Sequence, residues 1–300
     1  MFRDCFGRKQ VKRWCKAIRG VTSGLGEARD CDVQIEFLCD VLQRMTERNC
    51  YPAVVQLMAK IQRQRERLQP EVVAAVDQFE AAGVLEEMRS IGKQMLAEAE
   101  ARQIGLQSEA SYRQTEQHIL DSLNEVMRYE DSLDDPEDKD QHHAMRIAVK
   151  GLRYTVEIAK PIHEDRLDTP IAVIKRLQMM LGELHDCDVW IERLIVHAKQ
   201  QRKRLRKRFE YAGAFERLKA GIEYLKEDRR RQRSLVFEQL VTYWRQLTQE
   251  GFWEDLIGVI GRSAPQVDEL PPVPRLRSEK PTESRNLAYP QQLLKGVADR

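Results

Sequence analysis

A row of basic side chains on one helical face is the feature of this sequence with the clearest chemistry. Residues 143–157 read HAMRIAVKGLRYTVE. At 100° per residue, an arc of about 80° holds five of their side chains: His143, Arg146, Lys150, Arg153 and Glu157. Like charges in a row are unfavourable unless an anion neutralises them. A long polyanion does so efficiently, because each phosphate contact releases counterions.

The same segment carries a separate apolar seam. Its members recur at steps of three and four residues, which is typical of a helix face that packs into a core; they are Met145, Val149, Leu152 and Val156. An ordinary solvated face would mix Glu and Lys at i,i+4 spacing. Pairing of the basic row with nearby acids is the alternative reading that the sequence leaves open.

Three further segments place basic residues at helical spacing. One repeats the i, i+3, i+7, i+10 pattern and consists of Lys175, Gln178, Gly182 and His185. Its counterpart upstream follows Lys12 and Lys16 on nearly the same face and consists of Arg19, Thr22, Gly26 and Arg29. A third ridge comprises Lys60, Arg63 and Arg67. Glycine on such a stripe lets a ligand or helix approach the backbone, so we predict a shared basic groove.

Two segments of the sequence are nearly the same. Residues 25–38 read LGEARDCDVQIEFL and residues 181–194 read LGELHDCDVWIERL, with ten of fourteen positions identical at an offset of 156 (181 − 25). Self-similarity of this kind indicates an internal duplication of about half the chain.

Helices must position these rows, and the composition favours them. The chain is 33% charged and 7% aromatic, and six of its 11 prolines fall after residue 263. We therefore predict an all-α fold of two antiparallel helical bundles. Each repeated segment is placed on a helix, and the helix of the second segment is predicted to begin at Thr169–Pro170, with Thr169 as its N-cap. The other predicted helices are 53–69 and 71–104 (separated by Pro70), 109–133, 141–160 (ended by Pro161) and 214–250 (closed by Gly251).

The predicted organisation has three parts. Residues 1–135 form a first bundle that lacks its N-terminal helix, residues 136–263 form the second bundle, and residues 264–300 form a Pro-rich flexible tail. Three helices alone would leave an apolar groove exposed. We expect the reading frame to continue upstream of Met1 into a helix with its own His-x-x-Arg pattern.

Charge and cysteines narrow the class of protein. The net charge of +2 hides a run at 199–208, KQQRKRLRKR, with seven basic residues and no acid. No apolar run approaches about 18 residues, which argues against a membrane span, and the N-terminus has no secretory pattern. We expect a cytoplasmic protein.

The six cysteines form no CxxC pair and are expected to be buried small apolar residues.

Other chemistries remain as alternatives. Metal ligation would use Asp30 with Asp32, the segment His185-Asp186-x-Asp188, or the pair His142–His143. Asp186 and Asp188, however, lie about 200° apart on a helix. Because no nucleophile–base grouping is visible, we predict no catalytic residues, no metal and no cofactor. Nucleic-acid binding through the 199–208 run and a purely structural adaptor role are the competing functions.

Two motifs together resemble a known family. The pattern of His143, Arg146, Lys150, Arg153 and Glu157, followed by LQxxLGELHDCDV from Leu177 to Val189, resembles the CHAD family, the conserved-histidine α-helical domain. The segment from Arg19 to Val33 is similar to the same element in that family's first repeat. The resemblance covers about residues 1–260.

The resemblance implies a fold and a ligand. It implies two four-helix bundles related by pseudo-twofold symmetry and a basic central cavity that binds inorganic polyphosphate, often at polyphosphate granules. It does not imply catalysis. The anion ligands it implies are His143, Arg146, Lys150, Arg153, Lys175 and Arg19. To these the spacing adds Lys12, Lys16, Arg29 and His185. The family's first His/Arg helix has no counterpart in this sequence.

Overall fold

The described chain is built from α-helices. A computed structural model describes residues 6–102, 108–209 and 213–261, and within these ranges it contains no β-strand. This confirms the all-α class. The helices are α1 (Arg8–Arg44), α2 (Tyr51–Ala81), α3 (Val84–Ala101), α4 (Glu109–Met127), α5 (Lys139–His163), α6 (Asp168–Phe209), α7 (Gly213–Gln249) and α8 (Phe252–Ile260).

The break predicted at Pro70 is wrong. α2 runs through Pro70 as one helix of 31 residues and ends at Ala81. Gly83 follows with φ of 61°, and a glycine in this left-handed conformation is a common helix terminator. A proline removes one backbone hydrogen bond, and the bonds of the surrounding turns hold this long helix together.

Other helix ends agree more closely with the predictions. Ser108 caps α4, its side chain accepting a hydrogen bond from the Ser111 backbone N–H, and Gly251 follows α7 with φ of 70°. α4 is shorter than predicted, because residues 130–134 form a separate 3-10 turn. α5 continues through Pro161 to His163, and α6 begins at Asp168, so Thr169 is not its cap.

Two long helices, α6 and α7, each pass through two apolar cores. The first core joins α4, α5, α8, the first half of α6 and the second half of α7, and its largest fully buried side chains include Ile119, Met145, Leu152, Ile174, Leu177 and Leu240. The second core joins α1, α2, the second half of α6 and the first half of α7, around Leu38, Val54, Leu194 and Leu225. α6 and α7 therefore connect the core that contains α4 and α5 to the core that contains α1 and α2.

The predicted division of the chain into two bundles and a tail is only partly covered by the described residues. The described helices belong to one compact unit that ends at Ala264. The division at residue 135, the duplication and the upstream helix stay predictions, and the predicted tail, 264–300, lies outside the described residues.

Two glycines allow neighbouring helices to approach closely. A Cβ on Gly24 of α1 would lie 2.5 Å from the Cβ of Ala75 on α2. A Cβ on Gly221 of α7 would meet the carbonyl oxygen of Cys50, just before α2. These contacts fix α1 and α7 against α2, and any larger residue at either position would push the helices apart.

Burial of the cysteines follows the prediction at three positions. Cys31, Cys50 and Cys187 are buried, whereas Cys39 is half-buried and Cys15 is exposed. Burial raises the pKa of the Cys187 thiol to about 11. As for membranes, none of the helices in the described ranges is both long enough and apolar enough to cross one.

Candidate anion-binding site

The amphipathic pattern of α5 is realised in the packing. The apolar seam of Met145, Val149, Leu152 and Val156 is fully buried in the first core. Asp138 caps the helix, accepting a hydrogen bond from the Gln141 backbone N–H. The basic row beside the seam is therefore held on a helix whose rotation is fixed by its core face.

Two histidines meet between α5 and α6. The Nδ1 atoms of His143 and His185 are 3.2 Å apart, and the ring centroids are 4.4 Å apart. A hydrogen bond between two such nitrogens requires one ring to donate and the other to accept, so at most one of the two Nδ1 atoms carries a proton while the bond exists. Both rings are half-buried.

Arg146 lies one turn along α5 and reaches the backbone of α6. Its Nε is 4.0 Å from the position that a Cβ on Gly182 would occupy, which is an ordinary van der Waals distance, so the guanidinium lies beside the α6 backbone at Gly182. Burial lowers the pKa of His185, and the charges of Arg146 and His143 lower it further, while Asp186 and Asp188 act in the opposite direction. The neutral form of the His185 ring is therefore favoured.

The other end of the basic row is tied to an acid. Glu157 lies 3.7 Å from Arg153 through Oε2 and Nε, and its Oε1 lies 3.3 Å from Nζ of Lys175 on α6. The Arg153 Nε is buried and makes no hydrogen bond within the described chain. Glu157 thus compensates part of the charge of two predicted ligands, and an incoming anion would compete with it.

Tyr154 is a contact that the spacing argument missed. The guanidinium carbon of Arg153 lies 4.6 Å from the centroid of the Tyr154 ring, and Nζ of Lys150 lies 5.8 Å from it. These are cation–π distances. The signal was available, since residue 154 projects about 20° from His143 on a helical wheel. Tyr154 therefore belongs to the same face and helps to hold its cations.

The basic residues predicted on α1 lie at the surface. Lys12, Lys16, Arg19 and Arg29 are all exposed. α1 does approach α6 one residue beyond Arg29, where Asp30 lies 3.8 Å from Arg193. A groove shared by all the predicted ligands stays a prediction.

The acids proposed as metal ligands are engaged elsewhere. Asp30 and Asp32 face Arg193 and Arg65 respectively. Asp188 is buried and lies 2.6 Å from Nε of Arg233.

His142 points away from His143. Its Nε2–H donates to the carbonyl oxygen of Ser132 over 2.8 Å, which separates the two neighbouring histidines. In the ranges that the structure describes, no three His, Cys, Asp or Glu side chains are arranged to hold a metal ion.

Comparison with known proteins agrees with the helical motifs. A family model described as the CHAD domain matches residues 1–195. The chain belongs to the CHAD domain family. No curated protein and no solved structure matches it. In this CHAD domain the matched region contains the whole of α5 and the part of α6 that carries Lys175 and His185, so the two basic rows that meet in space both belong to the family's own sequence.

Proposed function

We propose that this CHAD domain binds inorganic polyphosphate through the basic face formed by α5 and α6, and that its role is binding rather than catalysis. The observation that carries the proposal is the convergence of His143, Arg146 and His185 from two helices. Arg146 supplies a permanent charge with geometry suited to phosphate oxygens. Lys150, Arg153 and Lys175 extend the same face.

Features of the face favour a bare phosphate chain over a nucleic acid. Single-stranded nucleic acids are usually held by aromatic platforms on which bases stack. Tyr154 is the aromatic residue of this row, and its ring already lies beside Arg153 and Lys150. A chain of phosphates needs only cations and hydrogen-bond donors. A protein that binds this ligand would be located at polyphosphate granules in the cytoplasm.

A salt-titrated binding measurement tests the proposal. Binding of long-chain polyphosphate should be strongly salt-dependent, and Arg146→Gln combined with Lys150→Gln should reduce both the affinity and the salt slope, by about one unit of slope per lost contact. The matched control, Arg89→Gln with Lys93→Gln on α3, removes the same charge from another surface and should bind almost as the parent does.

The competing ligand is tested in the same experiment. Single-stranded RNA and DNA of matched charge should bind more weakly than polyphosphate at every salt concentration. Equal or tighter binding of RNA would overturn the proposal in favour of nucleic-acid recognition. Equal losses in the site variant and the α3 control would show that the net charge of the protein acts, and not this face.

A further inference from the structure

A second basic surface lies between α2 and the C-terminal half of α6. It is a groove of about 490 Å³, within the range of about 300–1,000 Å³ that ligand sites occupy. Its lining holds four cations and no acid: Gln56, Lys60, Arg63, Arg67, Gln201, Arg204 and Leu205. None of these residues belongs to the α5–α6 face.

The four cations are arranged as two walls. Lys60, Arg63 and Arg67 follow i, i+3, i+7 spacing on α2, which places them on one side of the helix over about 10 Å. Arg204 faces them from α6. A chain of anionic groups lying in the groove would contact both walls.

These cations are not neutralised by the described part of the protein. Nζ of Lys60 donates to the Gln200 side chain over 3.4 Å, and Nε of Arg63 donates to the carbonyl oxygen of Ala59 over 3.0 Å. Both acceptors are uncharged. By contrast Arg65, on the same helix, pairs with Asp32 at 2.8 Å. The uncompensated charge is therefore confined to the side of α2 that faces the groove.

The groove also holds an amide oxygen without a partner. Oε1 of Gln56 is buried and lacks a hydrogen-bond partner within the described chain, so no hydrogen bond to this oxygen fixes the orientation of the amide. An amide can turn its NH₂ group, a donor of two hydrogen bonds, toward an incoming oxygen. Gln201, on the α6 side, is also buried.

We infer that this groove is a second phosphate-binding site, which takes a segment of inorganic polyphosphate between Lys60, Arg63 and Arg67 on one side and Arg204 on the other. Its lining has no aromatic residue on which a base could stack, which favours phosphate without nucleoside. The inference rests on the proposed function for the class of ligand, but it uses different residues on a different pair of helices.

The charge of the groove should not change near neutral pH. His197, the buried histidine beside it, has its pKa lowered to about 4 by burial and by the charge of Lys60. It therefore stays neutral between pH 5.5 and 8, and the lysine and arginines stay charged over the same range. The groove itself should therefore take up no proton when it binds an anion over that range, unlike the surface beside the His143–His185 pair.

Calorimetric titration of the full chain with tripolyphosphate, a probe short enough to occupy one surface at a time, tests the inference. The parent protein should show two sites. Arg63→Gln combined with Arg67→Gln should remove one of the two sites or weaken it by roughly tenfold or more, since each arginine supplies charge-assisted hydrogen bonds. Arg146→Gln with Lys150→Gln should instead affect the other site. The control is Arg89→Gln with Arg113→Gln on α3 and α4.

The possible outcomes separate this inference from the proposed function. If the α2 variant keeps both sites, the second site does not lie in this groove and the inference is overturned, while the α5–α6 site is untouched. If the α5–α6 variant keeps both sites, the proposed function fails at its assigned residues while the groove stands. Tighter binding of single-stranded RNA than of polyphosphate in the groove would overturn the assignment of the ligand.

A measurement on the unaltered protein removes any dependence on folding of the variants. Bound tripolyphosphate should slow the acetylation of the Lys60 Nζ by an acetylating reagent. Lys93, which is exposed on α3, should be acetylated at the same rate with and without tripolyphosphate. Equal reactivity of Lys60 in both conditions would overturn the inference.

Discussion

The contact between His143 and His185 would link the proposed anion binding to protonation. In the unliganded protein, burial, Arg146 and His143 hold the pKa of His185 below its ordinary value of 6.5. A bound polyanion reverses the sign of the surrounding field and favours the imidazolium. Ligand binding must then take up protons, and by linkage the affinity must increase as the pH falls through the interval between the two pKa values.

We expect the affinity for polyphosphate to rise as the pH is lowered from about 7.5 to 5.5. His185→Gln should remove most of this dependence and leave binding at pH 7.5 nearly unchanged. Titrations in buffers of different ionisation enthalpy measure the proton uptake directly. His118→Gln, on α4, is the matched control and should keep the parent profile. A pH profile that survives in His185→Gln would assign this histidine a packing role.

Glu157 restrains the cations at the far end of the same face. It pairs with both Arg153 and Lys175, so Glu157→Gln frees two positive charges for a ligand. We expect polyphosphate to bind about two- to fivefold more tightly, because a partly exposed ion pair contributes only about 0–1 kcal/mol. Glu86→Gln, which frees Arg89 on α3, should leave affinity unchanged. Weaker binding together with lost helicity would show that Glu157 is chiefly a tie between helices.

At the scale of helices, two aspartates at equivalent positions of the repeated segment have different environments. Asp188 is buried and bonds to Arg233, which also donates to the carbonyl oxygen of Pro136 over 2.6 Å. Asp32 pairs with Arg65, but 56% of its side chain is exposed. The same sequence motif thus joins α6 to α7 in a buried pair and α1 to α2 in an exposed one.

The two pairs should differ in their effect on stability. Asp188→Asn leaves the buried Arg233 charge uncompensated and should lower the free energy of unfolding by about 3–5 kcal/mol. Asp32→Asn should cost about 0–1 kcal/mol. Urea denaturation of both variants, followed by circular dichroism, gives the comparison. Equal losses would mean that Arg233 finds other partners, such as Glu137, which lies 4.0 Å away.

These helices also show what sequence can and cannot predict. The core face of α5 was predictable because its apolar residues repeat with the period of the helix. Pairing of Glu157 with Lys175 was not, since it depends on the rotation and spacing of two helices. The continuation of α2 through Pro70 was not predicted for a related reason. The rule that proline ends a helix is local, and it takes no account of the helical turns on either side of Pro70.

For the whole molecule, shared helices should make the two cores unfold together. Leu177 lies in the first core and Leu225 in the second. Leu177→Ala and Leu225→Ala should each cost about 2–5 kcal/mol and move one common transition. Far-UV circular dichroism and tryptophan fluorescence should coincide in both variants. A transition that splits in either variant would show that the cores are independent.

The arrangement of the cores was beyond reach of the repeat argument. The repeated segments lie on α1 and α6, and the repeat does not indicate which helices share a core. In the structure α4, from the first half, contributes Ile119 to the first core, while α6 and α7, from the second half, contribute Leu194 and Leu225 to the second. Which helices share a core depends on where the long helices cross, and periodicity carries no information on that.

The length of α6 has a consequence for ligands that reach both basic surfaces. His185 and Arg204, the nearest members of the two surfaces on this helix, are 19 residues apart (204 − 185), which corresponds to about 29 Å. A phosphate chain shorter than this contacts one surface or the other. A longer chain held at one surface meets the second at a high effective concentration, so its avidity exceeds either single affinity. α6 would then set the spacing between the two surfaces, and the protein would distinguish polyphosphate molecules by their chain length.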